Sequence, residues 1–265
     1  QYQGSTLLTR ELYEYYGPNK YTYWSTDFCA KPSQTGSCYQ DLYVNWAPRS
    51  VNTQYIYTSS GGTGAGFREE YHYETKYQGN KQFGNLTQVV YSHLVGQTWY
   101  DVRLDWWEYY PRNDGSTYIV GLPGYHNQYH CASAVNGNCF NPGGTSPEAS
   151  RVLSSIVFLY DGRTNFKDAP TKGQLTTQRT LLYFANAANY TGQRYTDVSY
   201  SYDQWGNKIR ETQYTGEGTE TSVGVGTAQS TTWTYGTSLP ALVTKQVNAA
   251  GHANTFQYTG NSYYC

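Results

Sequence analysis

Three groups of side chains in this 265-residue chain have the types and spacing for chemistry. Asp101, Asp105 and Glu108 stand together with Trp106 and Trp107. Two carboxylates flanking a sugar bond, with aromatic rings to stack on it, make a glycosidase groove. On an alternating strand, however, Asp101, Arg103 and Asp105 also make a charge ladder on a solvated face, and that reading is preferred here. Trp99, Trp106, Trp107 and Tyr109 are the residues of this stretch that would contact a glycan. His126, His130, Cys131 and Cys139 have metal-ligand chemistry, but no second close cysteine pair completes a tetrahedral set. Neither a cofactor nor a metal is expected.

The five cysteines are better read as disulfide chemistry. Cys29 and Cys38 flank a turn-rich polar stretch, as do Cys131 and Cys139, and a disulfide pinning such a hairpin tip fits both. Closing loops this short is worth roughly 2.5–3 kcal/mol in the chain-entropy model. Cys265 is left over, marking a truncation or a link to another chain. An extracellular setting, secreted or at the cell surface, is therefore expected. The sequons at Asn85 and Asn189 are compatible with it. Starting at Gln1 with no methionine, the chain is expected to be a processed or excised piece.

Other chemistries are disfavoured. No Gly-x-Ser-x-Gly stands on a strand-to-helix turn. The glycines of 61–66 and Gly224-Val225-Gly226 lack the lysine and following helix of a phosphate loop. A net charge of −1, with 14% charged residues, argues against a nucleic-acid partner. No apolar run approaches the ~20 residues of a membrane-spanning helix.

The elements that must position these residues are strands. The chain holds 31 Tyr, 7 Trp and 27 Gly. Tyrosine suits a sheet with one wet face, because its ring packs while its hydroxyl reaches a polar partner. An all-β fold is expected. Arg68–Tyr77, Asn85–His93, Trp99–Tyr110, Val152–Tyr160, Gln174–Phe184, Thr196–Tyr202, Thr231–Tyr235, Leu242–Val247 and Asn254–Tyr258 read as strands. Asn113-Asp114-Gly115 reads as a hairpin turn returning through Tyr118-Ile119-Val120. Residues 59–66 read as a loop or linker, and Thr215–Thr227 as a mobile loop.

A strand, glycine turn, strand pattern recurs. Gly84-Asn85, Gly173-Gln174, Gly206-Asn207 and Gly251-His252 each open a segment leading to a tyrosine. At the third copy Asp203 and Asn207 are expected to cap the turn while Gly206 takes positive φ. Residues 67–265 form this repeat region, and 1–66 form an irregular, aromatic-rich part with the first cysteine pair.

The segments Tyr200-Ser201-Tyr202-Asp203-Gln204-Trp205-Gly206-Asn207 and 242–252 resemble the YD repeats of rearrangement-hotspot (RHS) proteins, long secreted proteins of bacteria. So do 118–123 and 170–176. The likeness covers roughly Arg68 to Tyr258. It implies hairpins joined edge to edge in a long sheet that spirals into a hollow shell. In insecticidal toxin complexes and polymorphic toxins such a shell encloses a toxic C-terminal domain; in teneurins it serves cell–cell adhesion. The self-cleaving aspartyl plug that usually closes the toxin shell has no counterpart before Cys265. The resemblance thus implies a fragment of such a cage or a shorter assembly of the same hairpins. The expected function is non-catalytic: an extracellular surface, fibre or shell wall held by strand edges, pairing with itself or the rest of a longer chain. The alternatives are a wall segment of a toxin-enclosing cage and a glycan-binding or glycan-cleaving module, with cell-surface glycans as partners.

Overall fold

A computed structural model describes residues 2–3, 6–7, 9–15, 49–57, 63–74, 83–131 and 152–258. Those residues are all-β, without a helix. In chain order the strands are β1 (Tyr2–Gln3), β2 (Thr6–Leu7), β3 (Thr9–Tyr15), β4 (Arg49–Tyr57), β5 (Thr63–Tyr73), β6 (Leu86–Val95) and β7 (Thr98–Tyr109). They continue as β8 (Arg112–Asn113), β9 (Tyr118–Ile119), β10 (Pro123–His130), β11 (Val152–Tyr160), β12 (Leu175–Asn186) and β13 (Thr191–Tyr202). The last four are β14 (Lys208–Tyr214), β15 (Ala228–Tyr235), β16 (Val243–Val247) and β17 (Ala253–Thr255).

The chain divides into two units, Gln1–Tyr109 with His126–Ser154, and Tyr110–Tyr125 with Ser155–Cys265. In the first, each strand from β3 to β7 pairs antiparallel with the next. Its core is Leu104, Tyr129 and Cys131, packed by Val90, Trp106 and Val152. Leu104 is fully buried and lies opposite Val90 across the ladder. The Cys131 N–H donates to Val102 O at 3.0 Å, so the cysteine is fixed against β7.

Residues 63–66, expected as linker, belong to β5, and a packing contact explains why glycine is needed there. A Cβ on Gly66 would sit 2.9 Å from the Trp99 ring and 3.0 Å from Leu94. The glycine thus lets β6 and β7 side chains close over the strand.

In the second unit β11 to β17 form a meander, each strand antiparallel to its predecessor. The hairpin expected at 113–115 is present as β8 and β9, pairing Arg112 with Ile119 and Asn113 with Tyr118. The Asp114 carboxylate closes its tip through the N–H groups of Ser116 and Thr117.

The stretch 215–227, expected to be mobile, is instead anchored. Arg179 on β12 and Asp197 on β13 are cross-strand partners, and their side chains are 6% and 1% exposed. Arg179 Nε donates to Asp197 Oδ1 at 2.8 Å. The same guanidinium donates to Thr219 O at 2.7 Å and Ser222 O at 2.9 Å, while Gly224 N–H donates to Asp197 Oδ2 at 2.9 Å. Gly218 and Tyr195 exchange backbone hydrogen bonds at 3.0 and 2.8 Å. Burial of an ion pair requires its remaining donors and acceptors to be satisfied, and the loop backbone supplies those partners. This requirement ties the loop to β12 and β13.

Candidate functional site

The acidic stretch of β7 is the first place where chemistry was expected. Its alternate face is only partly solvated: the Arg103 side chain is 40% exposed, but Asp105 is only 4% exposed and lies opposite the buried Val89. Tyr91 donates its hydroxyl to Asp105 Oδ2 at 3.3 Å, and the Arg103 guanidinium lies 3.8 Å from the centre of the Tyr91 ring. Arg103 Nε and Asp105 Oδ1 are 3.1 Å apart without the alignment of a hydrogen bond, so that contact is Coulombic. Asp101 accepts a 2.7 Å hydrogen bond from Ser92 Oγ. Burial raises the Asp101 carboxyl above its usual range, partly opposed by that hydrogen bond. These carboxylates are engaged by side chains of β6 and β7 themselves.

The aromatic residues of the stretch also make internal contacts. Arg68 lies 5.1 Å from the Trp99 ring centre, and Trp106 packs on the first unit's core. Trp107 stacks on His126 with centroids 4.3 Å apart and planes 4° from parallel. Burial lowers the His126 pKa, favouring a neutral imidazole in that stack. Tyr109 donates to Leu86 O at 2.9 Å, and burial together with the nearby Glu74 charge pushes its pKa to about 12.

Sequence reasoning missed that the Tyr109 contact recurs. Tyr160 donates to Pro123 O, Tyr202 to Leu175 O, Tyr235 to Lys208 O and Tyr258 to Val243 O, all within 2.8–3.1 Å. Together with Leu86, each acceptor is the first residue of a strand, β6, β10, β12, β14 or β16. Each donor stands at the end of the following paired strand or just beyond it. A tyrosine hydroxyl thus pins the start of one strand to the finish of another. Loss of one such bond, in Tyr202→Phe, is expected to lower stability by about 0.5–1.5 kcal/mol in urea denaturation.

A second device adjoins the tyrosines. Asp203 Oδ1 accepts from the N–H groups of Trp205 (2.8 Å) and Asn207 (2.9 Å), while Asn207 Nδ2 donates to Asp203 Oδ2 at 2.9 Å. Asn248 Oδ1 accepts from Ala250 and His252 N–H in the same way. The Glu74 carboxylate accepts from Phe83 N–H, Asn85 N–H and the Asn85 side chain. Asp161 accepts from Thr171, Lys172, Gly173 and Gln174 N–H. In all four corners a left-handed glycine precedes the strand: Gly84 (φ 75°), Gly173 (80°), Gly206 (85°) and Gly251 (84°). Nothing but glycine adopts that φ without strain in so tight a turn. Glu74 and Asp161 were missed because 10 and 12 positions of sequence separate them from their glycines; the signal lay in Tyr73-Glu74 and Tyr160-Asp161, which match Tyr202-Asp203.

The corner carboxylates make stability depend on acid. Burial of Asp161 opposes ionisation, but its four backbone donors outweigh that and lower the pKa to about 2. A depressed folded-state value means this contribution is complete above the unfolded-state pKa of about 3.9 and fades as pH falls through about 2. Asp161→Asn should therefore flatten the fall of the urea midpoint between about pH 4 and pH 2.

The remaining predicted residues are placed as follows. Asn85 lies at the Glu74 corner. Asn189 is exposed, and its Oδ1 accepts from Thr191 Oγ1 at 2.7 Å. Cys131 is 1% exposed. Cys29, Cys38, Cys139 and Cys265 lie outside the described residues, and with them the expected pairings Cys29–Cys38 and Cys131–Cys139. Among the described residues no three His, Cys, Asp or Glu side chains gather as a metal site, and no helix is long and apolar enough to cross a membrane.

At the far end of the second unit's ladder, β17 has β16 as its sole strand partner among the described residues. Phe256 N–H donates inward to Thr244 O and Asn248 N–H reaches His252 O, so the even-numbered positions of the strand hydrogen-bond to β16. By the alternation of an antiparallel ladder, the N–H groups of Ala253 and Thr255 point away from β16. All three β17 residues are exposed. No protein-family model matches the sequence, and no curated protein matches it.

Proposed function

We propose that this chain is a non-catalytic, extracellular structural protein whose antiparallel hairpins build a wall, fibre or surface by pairing strand edges. The observation that carries this reading is the β17 edge. Soluble sheets blunt their outer strands with lysine, proline or bulges. Ala253-Asn254-Thr255 carries none of these and is exposed along its length. Such an edge accepts a further strand, from another copy or from more of a longer chain.

The recurring corner supports the same reading. Recurring tyrosine pins and carboxylate or amide caps fix the starts and ends of paired strands, as an extensible array requires. The resemblance of 200–207 to a YD repeat belongs to the same proposal, as do a secreted setting and the disulfide pairings Cys29–Cys38 and Cys131–Cys139. The engagement of Asp101 and Asp105 by Ser92, Arg103 and Tyr91 favours a structural use of β7 over a hydrolytic one.

Thr255→Pro tests the edge directly. Proline there removes one outward N–H while leaving the β16 ladder its donors. Light scattering should show the wild-type chain forming assemblies with increasing concentration and the variant remaining dispersed with unchanged circular dichroism. Equal assembly by both proteins would sink the edge as the site of growth.

A further inference from the structure

We infer that the second unit carries a binding groove for acidic saccharides, formed between the Asp203–Asn207 corner and the β13–β15 surface. A cavity of about 990 Å³ is lined there by Ser201, Gln204, Trp205, Arg210, Thr232 and Thr234, among others. Its volume is in the range of small-molecule sites, whose specificity comes from a few placed polar groups.

The lining dictates the ligand class. Trp205 is 66% exposed, leaving a large ring face open to solvent at the mouth of the corner. Its own backbone N–H is held by Asp203 Oδ1 at 2.8 Å, so the ring projects from a fixed turn. Ser201, Arg210 and Thr232 are successive cross-strand partners on β13, β14 and β15, which puts their side chains in one row on one face. The row therefore offers two hydroxyls around a guanidinium, with the Gln204 amide beside it. Hydroxyls and amides that both donate and accept match the hydroxyls of a sugar ring. An open indole face matches the apolar face of a pyranose.

Arg210 supplies the preference for acid. It makes no ion pair with a described residue. Lys208 pairs with Glu211 at 2.7 Å, and the Asp203 carboxylate, which also lines the groove, is turned to the Trp205 and Asn207 donors of its own corner, leaving Arg210 to meet the anion. A free planar guanidinium takes a carboxylate through two parallel hydrogen bonds. The ligand is thus a uronic-acid saccharide. A net charge of −1 for the whole chain disfavours non-specific capture of polyanions.

Calorimetric titration with trigalacturonate and with the neutral galactose trimer tests the assignment. Wild-type protein should bind the acidic trimer about tenfold more tightly, the value of one charge-assisted hydrogen-bond pair. Arg210→Gln should reduce that preference to less than about threefold, and Trp205→Ala should weaken both trimers about tenfold or more. Both positions are exposed, and unchanged circular dichroism would show that the variants fold. Absence of binding by wild type, equal affinity for the two trimers, or unaltered binding by Trp205→Ala would each overturn the inference. Competition by a glutamate-rich peptide as strong as by trigalacturonate would overturn it too, because the groove would then read charge without sugar.

Discussion

Replacing Asp197 with alanine is expected to lower the unfolding free energy by about 3–5 kcal/mol, among the largest effects of any single change in this chain. The carboxylate is 1% exposed and receives Arg179 Nε at 2.8 Å and Gly224 N–H at 2.9 Å. Its removal leaves a guanidinium that is 6% exposed without a countercharge. Arg179 keeps its bonds to Thr219 O and Ser222 O, but carbonyl dipoles do not neutralise a buried cation. The 215–227 loop also loses its Gly224 anchor, so amide exchange should quicken there before it does elsewhere in the unit. Replacing both partners, as Arg179→Met with Asp197→Leu, should cost less than Asp197→Ala alone, since no charge is stranded. Urea denaturation followed by circular dichroism decides the matter. A loss below about 1 kcal/mol for Asp197→Ala would mean that the pair is solvated and the loop is held by other contacts.

The second large effect belongs to the other unit. Leu104→Ala should cost about 2–5 kcal/mol, through lost transfer energy and the cavity left behind. Leu104 is fully buried against Tyr129 and Cys131, with Val90, Trp106 and Val152 around them. The cavity would resist collapse, because the Cys131 backbone is tied to Val102 and the Val90 strand is fixed by its ladder. Leu104→Met keeps the volume and should cost less than about 1.5 kcal/mol. Similar losses for alanine and methionine would show that shape, more than burial, governs this site.

Much of the sheet could be read from alternation. The strand at 98–109 stood out by its periodic Val102, Leu104 and Trp106, and the turn at Gly206 by its Tyr-Asp dipeptide. What escaped was non-local. Asp105 looked solvated because it alternates with Asp101 and Arg103 along the strand, whereas Val89 and Tyr91 on the paired strand cover it. Gly66 looked like part of a linker, since composition does not reveal that a tryptophan more than thirty positions away needs the room. Thr215–Thr227 looked mobile because its anchors, Arg179 and Asp197, belong to strands formed much earlier in the chain. The corner at Asp161 was hidden for a related reason: its glycine stands 12 residues downstream, beyond a loop that interrupts the motif. The groove at Trp205 was hidden as well, because its row of Ser201, Arg210 and Thr232 exists only once three strands are in register.

If these hairpins add to one another at their edges, electron microscopy of the native material will show ordered fibres, sheets or shell walls in which this chain is the repeating unit or one stretch of a longer sheet. Single, unassociated chains at every concentration, with the Ala253 and Thr255 amides still open to solvent, would overturn the edge as a site of growth.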